Sequence, residues 1–570
     1  MENLALPIGI DDFKKLIDNG YYYVDKTGLI KELLDKKGEV NLFTRPRRFG
    51  KTLNLSMLRY FFEKNDDESN AYLFDGLKIM SAGEKYTREL GQYPVITLTL
   101  KSAKQPTWEM AYASMVDDIA NEFKRHPEIL ECDDILEEDK EEFKRIRAGK
   151  AEQIEYAKAL AFLSMCLEKC YKKNSIILID EYDVPLETAY YGGFYDEMIG
   201  FIRSLFESAL KTNPFLEFSV ITGCIVSAVA EPFRISKESI FTGLNNLEVI
   251  SILNENYDEH FGFVDMEVKD MLTFYNLEGK MNVLKEWYDG YQFGNTEVYN
   301  PWGVINFVKQ LCANENAFPT AAWSNSSSNK IVRDLIECAD DEVKDEIETL
   351  IAGGTIEKQV HEDITYEDIY ASEDNLWNFL FFTGYLKKVS LRMEGVHQYI
   401  TMAIPNNELL YIYENSVMGW FKDQVKVQNL TGLYEALLSG DAGTFAEELA
   451  IQLQKTISYM DGKEAFYHGF LLGILGNLKG YLVKSNREAG DGRYDICVRS
   501  HNVSKTPVII ELKVSESFKK MDDRAAEAVE QIKKMSYAAD LEEEGYTEVL
   551  YCGIGFFRKQ LRVKMVRQEF

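Results

Sequence analysis

No stretch of this 570-residue chain reaches 18 consecutive apolar residues, so no membrane-spanning helix is expected. The opening Met1–Pro7 lacks a basic segment followed by an apolar one, which argues against a secretory leader and for a cytoplasmic protein. Eight cysteines are scattered, and none forms a Cys-x-x-Cys pair. Cys166 and Cys170 stand one helical turn apart without histidine partners, so buried thiols in a reducing compartment are expected rather than structural zinc. There is no tandem repeat and no low-complexity tract. There is also no basic excess. The formal net charge is −29, whereas proteins that grip a nucleic-acid backbone usually carry the opposite sign. The deficit is uneven: residues 481–570 hold 16 Lys+Arg against 15 Asp+Glu, and the preceding 480 hold 48 against 78. An acidic body of that kind repels non-specific nucleic acid and leaves any nucleic-acid site dependent on a guide or partner.

What is present is enough for several cores. The length predicts two to four domains, and 46% hydrophobic with 13% aromatic residues argues against long disorder. Apolar strand-like runs lie at 39–44, 94–100, 175–180 and 216–222. Helical patterns at 51–63, 107–124, 152–172 and 194–212 separate them, and such alternation predicts a mostly parallel sheet covered on both faces. The charged stretch 127–150 reads as an exposed helical excursion. From about 250 to 435 helical segments dominate, with turns at Asp289-Gly290 and Gly353-Gly354, β-like pieces near 385–404 and a polar turn cluster at 324–329. Residues 428–482 read as helical. A hairpin follows (493–498 and 508–514), then a helix over 523–537 and a strand at 547–554.

The chemistry begins at Val40–Thr52, where an apolar run ends in Arg45-Pro46-Arg47-Arg48-Phe49-Gly50-Lys51-Thr52 and a helical pattern follows. This is the layout of a phosphate-binding loop. Backbone N–H groups at a helix N-terminus surround the phosphates, Lys51 reaches the β/γ-phosphates, and the Thr52 hydroxyl binds magnesium. Gly50 permits close backbone approach, with Arg48 and Phe49 completing the cradle. Arg45 stands where the usual pattern has its first glycine, and Pro46 stiffens the turn. Arg47 and Arg48 either steer phosphates or face solvent. A second run, Ile176–Ile179, ends in Asp180-Glu181 and is expected on a strand neighbouring the loop strand. Asp180 would hold the magnesium through water, and Glu181 would polarise the attacking water. Thr222 ends the next strand, either as a γ-phosphate sensor or as an ordinary strand-end threonine.

A third constellation lies near the C-terminus. Glu511 and Lys513 share one face of a strand, and Asp495 on the preceding strand can meet them across the pair. Phosphodiester cleavage needs carboxylates around magnesium and a lysine near the attacking water. Asp495 and Glu511 are therefore candidate ligands, Lys513 the candidate water-positioning group, and Glu464 on the preceding helix a candidate additional acid. Gln531 and Tyr537 are placed to touch phosphate or buttress the site. His468, and the aromatic group Trp287, Tyr288, Tyr291 and Phe293, read better as packing residues.

Taken together, Tyr23-Val24-Asp25-Lys26-Thr27, the Arg45–Thr52 loop, Phe241–Leu247 and Tyr299-Asn300-Pro301-Trp302 resemble the AAA-ATPase-like family found in many bacteria. That resemblance covers nearly the whole chain. It implies an ASCE-type P-loop NTPase domain at 1–250, a helical and winged-helix-like lid region at 251–435, and a C-terminal PD-(D/E)XK domain of restriction-endonuclease-like α/β fold at 436–570. It also implies that Arg45 is a family trait. One departure is that ten residues, 224–233, separate Thr222-Gly223 from Arg234, where the family tends to place an arginine sooner. The expected function is an ATP- and magnesium-dependent protein acting on nucleic acid. The alternative is a nucleotide-dependent switch or scaffold for a protein partner, with the nuclease fold kept for binding.

Overall fold

The computed structural model describes residues 4–65, 70–224, 240–241, 244–323, 341–360, 372–416, 430–454, 464–476, 478–489, 492–500, 502–535 and 537–570. The polar cluster 324–329, Thr242-Gly243 and the stretch 225–239 that contains Arg234 lie outside them. The chain divides into two compact units: Met1–Asn325 with Thr355–Leu409, and Ser326–Gly354 with Leu410–Phe570.

The first unit is built on five parallel strands, β1 (Val40–Thr44), β2 (Val95–Thr99), β3 (Ser175–Asp180), β4 (Leu216–Gly223) and β5 (Leu247–Ile250). Their order is β2-β3-β4-β1-β5, the α/β architecture expected. All six residues of β3 are buried, as an Ile-Ile-Leu-Ile run in a sheet covered on both faces requires. One detail differs from the sequence reading. The acidic strand β3 does not neighbour the loop strand β1, because β4 is inserted between them, pairing Phe43 with Thr222 on one side and Ile179 with Ile221 on the other. Short apolar runs do not encode lateral order, which is set by how the connecting helices cross the sheet. Strand β5 carries only Leu-Glu-Val-Ile and is an edge strand whose brevity hid it.

Beyond the sheet, the helices Asp265–Phe274, Met281–Tyr288 and Pro301–Ala313 pack through Val268, Leu272, Leu284, Tyr288, Val304 and Phe307. Asn300 caps the third helix by accepting the Gly303 N–H, and Pro301 fills its first turn, where no donor is needed. A hairpin of β6 (Tyr291–Phe293) and β7 (Thr296–Val298) follows the second helix. An antiparallel sheet of β8 (Ile356–Gln359), β9 (Lys387–Glu394) and β10 (His397–Ala403) completes the unit in the order β8-β10-β9.

The second unit holds a mixed sheet, β11 (Leu482–Ala489), β12 (Gly492–Arg499), β13 (Val508–Val514), β14 (Glu548–Phe557) and β15 (Gln560–Glu569), in sequential order. Only β13 and β14 pair in parallel. Helices Thr431–Ser439, Ala442–Gln454 and Glu464–Leu475 contribute to a core with the sheet residues Ile496, Val498, Ile510, Leu512 and Ile554. The helix Met521–Lys534 packs against the sheet at Gly553 and Gly555. A Cβ at either glycine would collide with a helix carbonyl, that of Ala525 or Met521, so the close approach depends on both.

Candidate functional site

Ligands of open parallel sheets bind outside the carboxyl ends of the strands, and the candidate groups of the first unit gather there. Gly50 caps the helix Lys51–Phe62 with φ 82°, a left-handed backbone that a β-carbon would strain. The Thr52 hydroxyl donates to Asp180 Oδ2 at 2.6 Å, and the Thr222 hydroxyl donates to the other oxygen, Oδ1. Two hydroxyls, one from the first turn of the helix after β1 and one from the end of β4, thus share the carboxylate at the end of β3. Lys51 Nζ is turned back on its own loop, donating to the Arg45 and Pro46 carbonyls at 2.9 Å each and lying 3.4 Å from Cys224 Sγ. Glu181 follows Asp180 with φ 53°. Burial, reinforced by Asp180, pushes its carboxyl pKa up.

The loop arginines do not face solvent. Arg45 is fully buried: Nη1 donates to the Thr44 and Ile250 carbonyls at 3.0 and 2.7 Å, and the guanidinium lies over the Phe261 and Phe293 rings. Burial lowers its pKa to about 9. The residue in the usual glycine position therefore points into the core and braces the end of β1 against the end of β5. Arg47 Nη2 stands 2.6 Å from Glu187 Oε2 on the helix Val184–Gly192. Arg48, also left-handed at φ 67°, stacks on Trp302 and donates to the Ala322 carbonyl at 3.1 Å. The Phe49 ring is buried against Tyr291 and Phe293, so only its backbone remains on the loop. Tyr288, Tyr291 and Phe293 are core residues, and Trp287 packs at the core's edge.

Sequence reasoning missed Asp183, a buried acid whose Oδ2 accepts the Cys224 N–H at 2.8 Å. Burial raises its pKa, while Lys51 and Arg47 oppose the shift. Its place three residues after Asp180 was the available signal. Glu187 and Glu408 were missed too, and nothing local marks either.

In the second unit Asp495 and Glu511 lie on paired strands, one step beyond the Ile496–Ile510 pair. Asp495 Oδ2 accepts the Leu512 N–H at 2.8 Å, and Lys513 Nζ lies 3.5 Å from Glu511 Oε1. Gln531 Nε2 donates to the same Glu511 oxygen and stands 3.5 Å from the Tyr537 hydroxyl. Glu511 is buried, and among the described residues its Oε2 has no hydrogen-bond partner. Burial, then the Asp495 charge, pushes its pKa to about 7. His468 Nε2 lies 3.0 Å from the Asp495 carbonyl oxygen and supports the backbone beside the carboxylate. Glu464 begins the helix Glu464–Leu475, and its side chain lies outside the described residues. Among the described residues no three His, Cys, Asp or Glu side chains form a ready metal-holding group. The donor set nonetheless fits a hard divalent cation: carboxylate oxygens, one of them buried and unpaired, beside a lysine.

A five-stranded parallel sheet with a lysine-tipped loop over an acidic strand end defines a P-loop class of fold, and the mixed C-terminal sheet with its Asp, Glu and Lys defines a nuclease-like one. Comparison with known families agrees. Residues 7–241 match the family model described as predicted AAA-ATPase, and residues 462–565 match that of the PD-(D/E)XK nuclease superfamily. The chain thus joins an AAA-ATPase-like domain to a PD-(D/E)XK nuclease-superfamily domain. It is also 25% identical over 451 residues to an uncharacterized protein in the vnfD 5′ region of Azotobacter chroococcum mcd 1, covering 77% of this chain and 75% of the relative. No helix among the described residues is long and apolar enough to cross a membrane.

Proposed function

We propose that the protein binds and hydrolyses ATP, and that its C-terminal unit is a magnesium-dependent nuclease-like domain acting on nucleic acid in the cytoplasm. The labour would divide among a nucleotide domain (1–250), a lid region (251–435) and a nuclease-like domain (436–570). The observation that carries this reading is the single Asp180 carboxylate shared by Thr52 and Thr222. A magnesium ion held by Thr52 and Asp180 would offset the triphosphate charge. Lys51 would leave its loop carbonyls for the β/γ-phosphates, with the Gly50-Lys51 backbone supplying N–H donors. Glu181, whose carboxyl pKa burial pushes up, is made a stronger base for accepting a proton from water. In the second unit Asp495 and Glu511 would hold the metal, with Glu464 as a further acid, and Lys513 would orient the attacking water.

The test is ATP turnover and magnesium-dependent plasmid cleavage by the wild type, Lys51→Ala and Lys513→Ala. Lys51→Ala is expected to reduce ATP turnover at least about 100-fold, and Lys513→Ala to reduce cleavage by a similar factor while leaving ATP turnover intact. Cleavage untouched by Lys513→Ala would sink the assigned nuclease site.

One observation favours the second reading, a nucleotide-dependent scaffold for a protein partner. Glu511 is already hydrogen-bonded by Gln531, and its pKa of about 7 leaves much of it neutral at physiological pH. Magnesium and manganese titration separates the two, because the scaffold needs no metal at Asp495 and Glu511.

A further inference from the structure

The phosphate loop carries a side chain that its own chemistry does not explain. Arg48 lies with its guanidinium 4.5 Å above the Trp302 ring at the start of the helix Pro301–Ala313. Its Nη1 donates to the carbonyl of Ala322 at 3.1 Å. The N–H of that same peptide group, Trp323 N, donates to Glu408 Oε1 at 2.8 Å. One peptide therefore stands between a loop cation and a buried carboxylate, and each hydrogen bond polarises the other. Glu408 is 1% exposed, and among the described residues its Oε2 has no hydrogen-bond partner. Burial lowers the Arg48 pKa and pushes the Glu408 carboxyl up to about 7, and against that burial the charge of each favours the ionised form of the other. Arg48 itself holds a left-handed backbone at φ 67°, a strained conformation for a non-glycine residue that persists where surrounding contacts impose it.

The position of these groups along the chain gives them significance. The chain leaves the first unit after Asn325 and again after Leu409. Trp323 stands two residues before the first exit, and Glu408 one residue before the second. The Trp323–Glu408 hydrogen bond ties together the two stretches that lead into the C-terminal unit, and the phosphate loop grips that tie through Arg48.

We propose that Arg48, the Ala322–Trp323 peptide and Glu408 form a relay that reports occupancy of the phosphate loop to both chain exits. This rests on the reading that the loop binds a nucleotide triphosphate. The triphosphate and Glu408 compete for the same guanidinium. When phosphate takes Arg48, the Ala322 carbonyl loses its donor and Glu408 loses its counter-charge inside the protein. An uncompensated buried carboxylate is costly, so the tie between the exits loosens. By linkage, weakening Glu408 must in turn strengthen phosphate binding.

The experiment measures ATP affinity and amide hydrogen exchange of full-length protein, with and without ATP, in peptides covering 316–323 and 402–412. In the wild type ATP is expected to speed exchange in both peptides. Glu408→Gln is expected to show the faster exchange without ATP and to bind ATP at least about fivefold more tightly. A merely structural role for Glu408 would not raise affinity. Should Glu408→Gln fail to fold, Trp302→Leu carries the test. It removes the ring beneath the Arg48 guanidinium and leaves the phosphate loop itself unaltered, so exchange without ATP should already be faster in both peptides and ATP should bind more tightly; unchanged exchange and affinity would overturn the relay. Wild type that binds ATP with no change in either peptide overturns the relay and leaves nucleotide binding standing. So does Glu408→Gln with unchanged or weaker affinity. Wild type that does not bind ATP at all overturns the nucleotide reading and the relay with it.

Discussion

At the scale of single residues, burial decides what each charged group can do. Glu511 and Glu181 carry the same side chain as dozens of surface acids here, yet both have raised pKa values because they are buried beside a second carboxylate. If Glu511 holds a metal as proposed, this would make the affinity pH-dependent. A metal ligand must be ionised, and a carboxyl raised to about 7 is protonated below that value. Magnesium or manganese affinity at Asp495 and Glu511 is therefore expected to rise about tenfold per pH unit below pH 7 and to level off above it. Calorimetric titration from pH 5.5 to 8.5 checks this, and a flat profile would mean that Glu511 is not a ligand. Arg45 shows the same logic for a cation. It stands where the loop pattern usually has its first glycine, and its guanidinium braces two strand ends against two aromatic rings.

At the scale of elements, the junction between β2 and the helix Trp108–Lys124 is held by an ionic knot. Glu122 accepts the Thr97 N–H at 2.8 Å and lies 2.9 Å from Arg125 Nη1 and 3.4 Å from His126 Nε2. Arg125 also reaches Glu63, just past the end of the helix Lys51–Phe62. Burial opposes the charge on His126, but hydrogen bonds to Glu122 and Glu128 outweigh it and raise the pKa to about 9. Glu122 falls to about 2 because burial is likewise outweighed by His126 and Arg125. The two displacements share one contact, so they do not add. A raised histidine stabilises fully below its unfolded pKa of about 6.5, and that contribution disappears as pH climbs through about 9. Thermal or denaturant unfolding between pH 6.5 and 9.5 should show the wild type losing up to about 3 kcal/mol. His126→Gln should start lower and stay nearly level across that window. A wild-type profile as level as that of the variant would show that the knot stores no such energy.

At the scale of the whole molecule, charge is unevenly distributed along the chain. Residues 481–570 carry a net +1, while the other 480 carry −30, more than the whole net charge of −29. Nucleic acid held by the C-terminal unit would meet few surplus cations, so its affinity should fall only shallowly with salt. A slope of log affinity against log salt of about −3 or less steep is expected, against about −10 for strongly basic binders. A steep slope would point to a cationic surface that the composition hides. Both units owe their cores to continuous apolar strands under helices, and the chain passes between them at three places, the exits at 325/326 and 409/410 and the return at 354/355.

The sequence by itself determined the local chemistry of the protein. Lys51-Thr52 after a strand, Asp180 at a strand end, and Glu511-x-Lys513 opposite Asp495 follow from spacing, because helix and strand periods fix which neighbours share a face. The α/β class, the first four strands and the core role of Tyr288, Tyr291 and Phe293 were legible for the same reason. Strands β5, β11 and β15 were not: the first is four residues long, the second runs through the polar Lys484-Ser485-Asn486-Arg487-Glu488, and the third places exposed polar residues between its apolar ones. Only tertiary structure decided that β4 separates the loop strand from the acidic strand, that Asp183 enters the nucleotide site, and that Arg48 meets Glu408 through the Ala322–Trp323 peptide. Those outcomes depend on lateral strand order and on contacts between residues hundreds of positions apart. No local period encodes either, and packing of the whole core selects both.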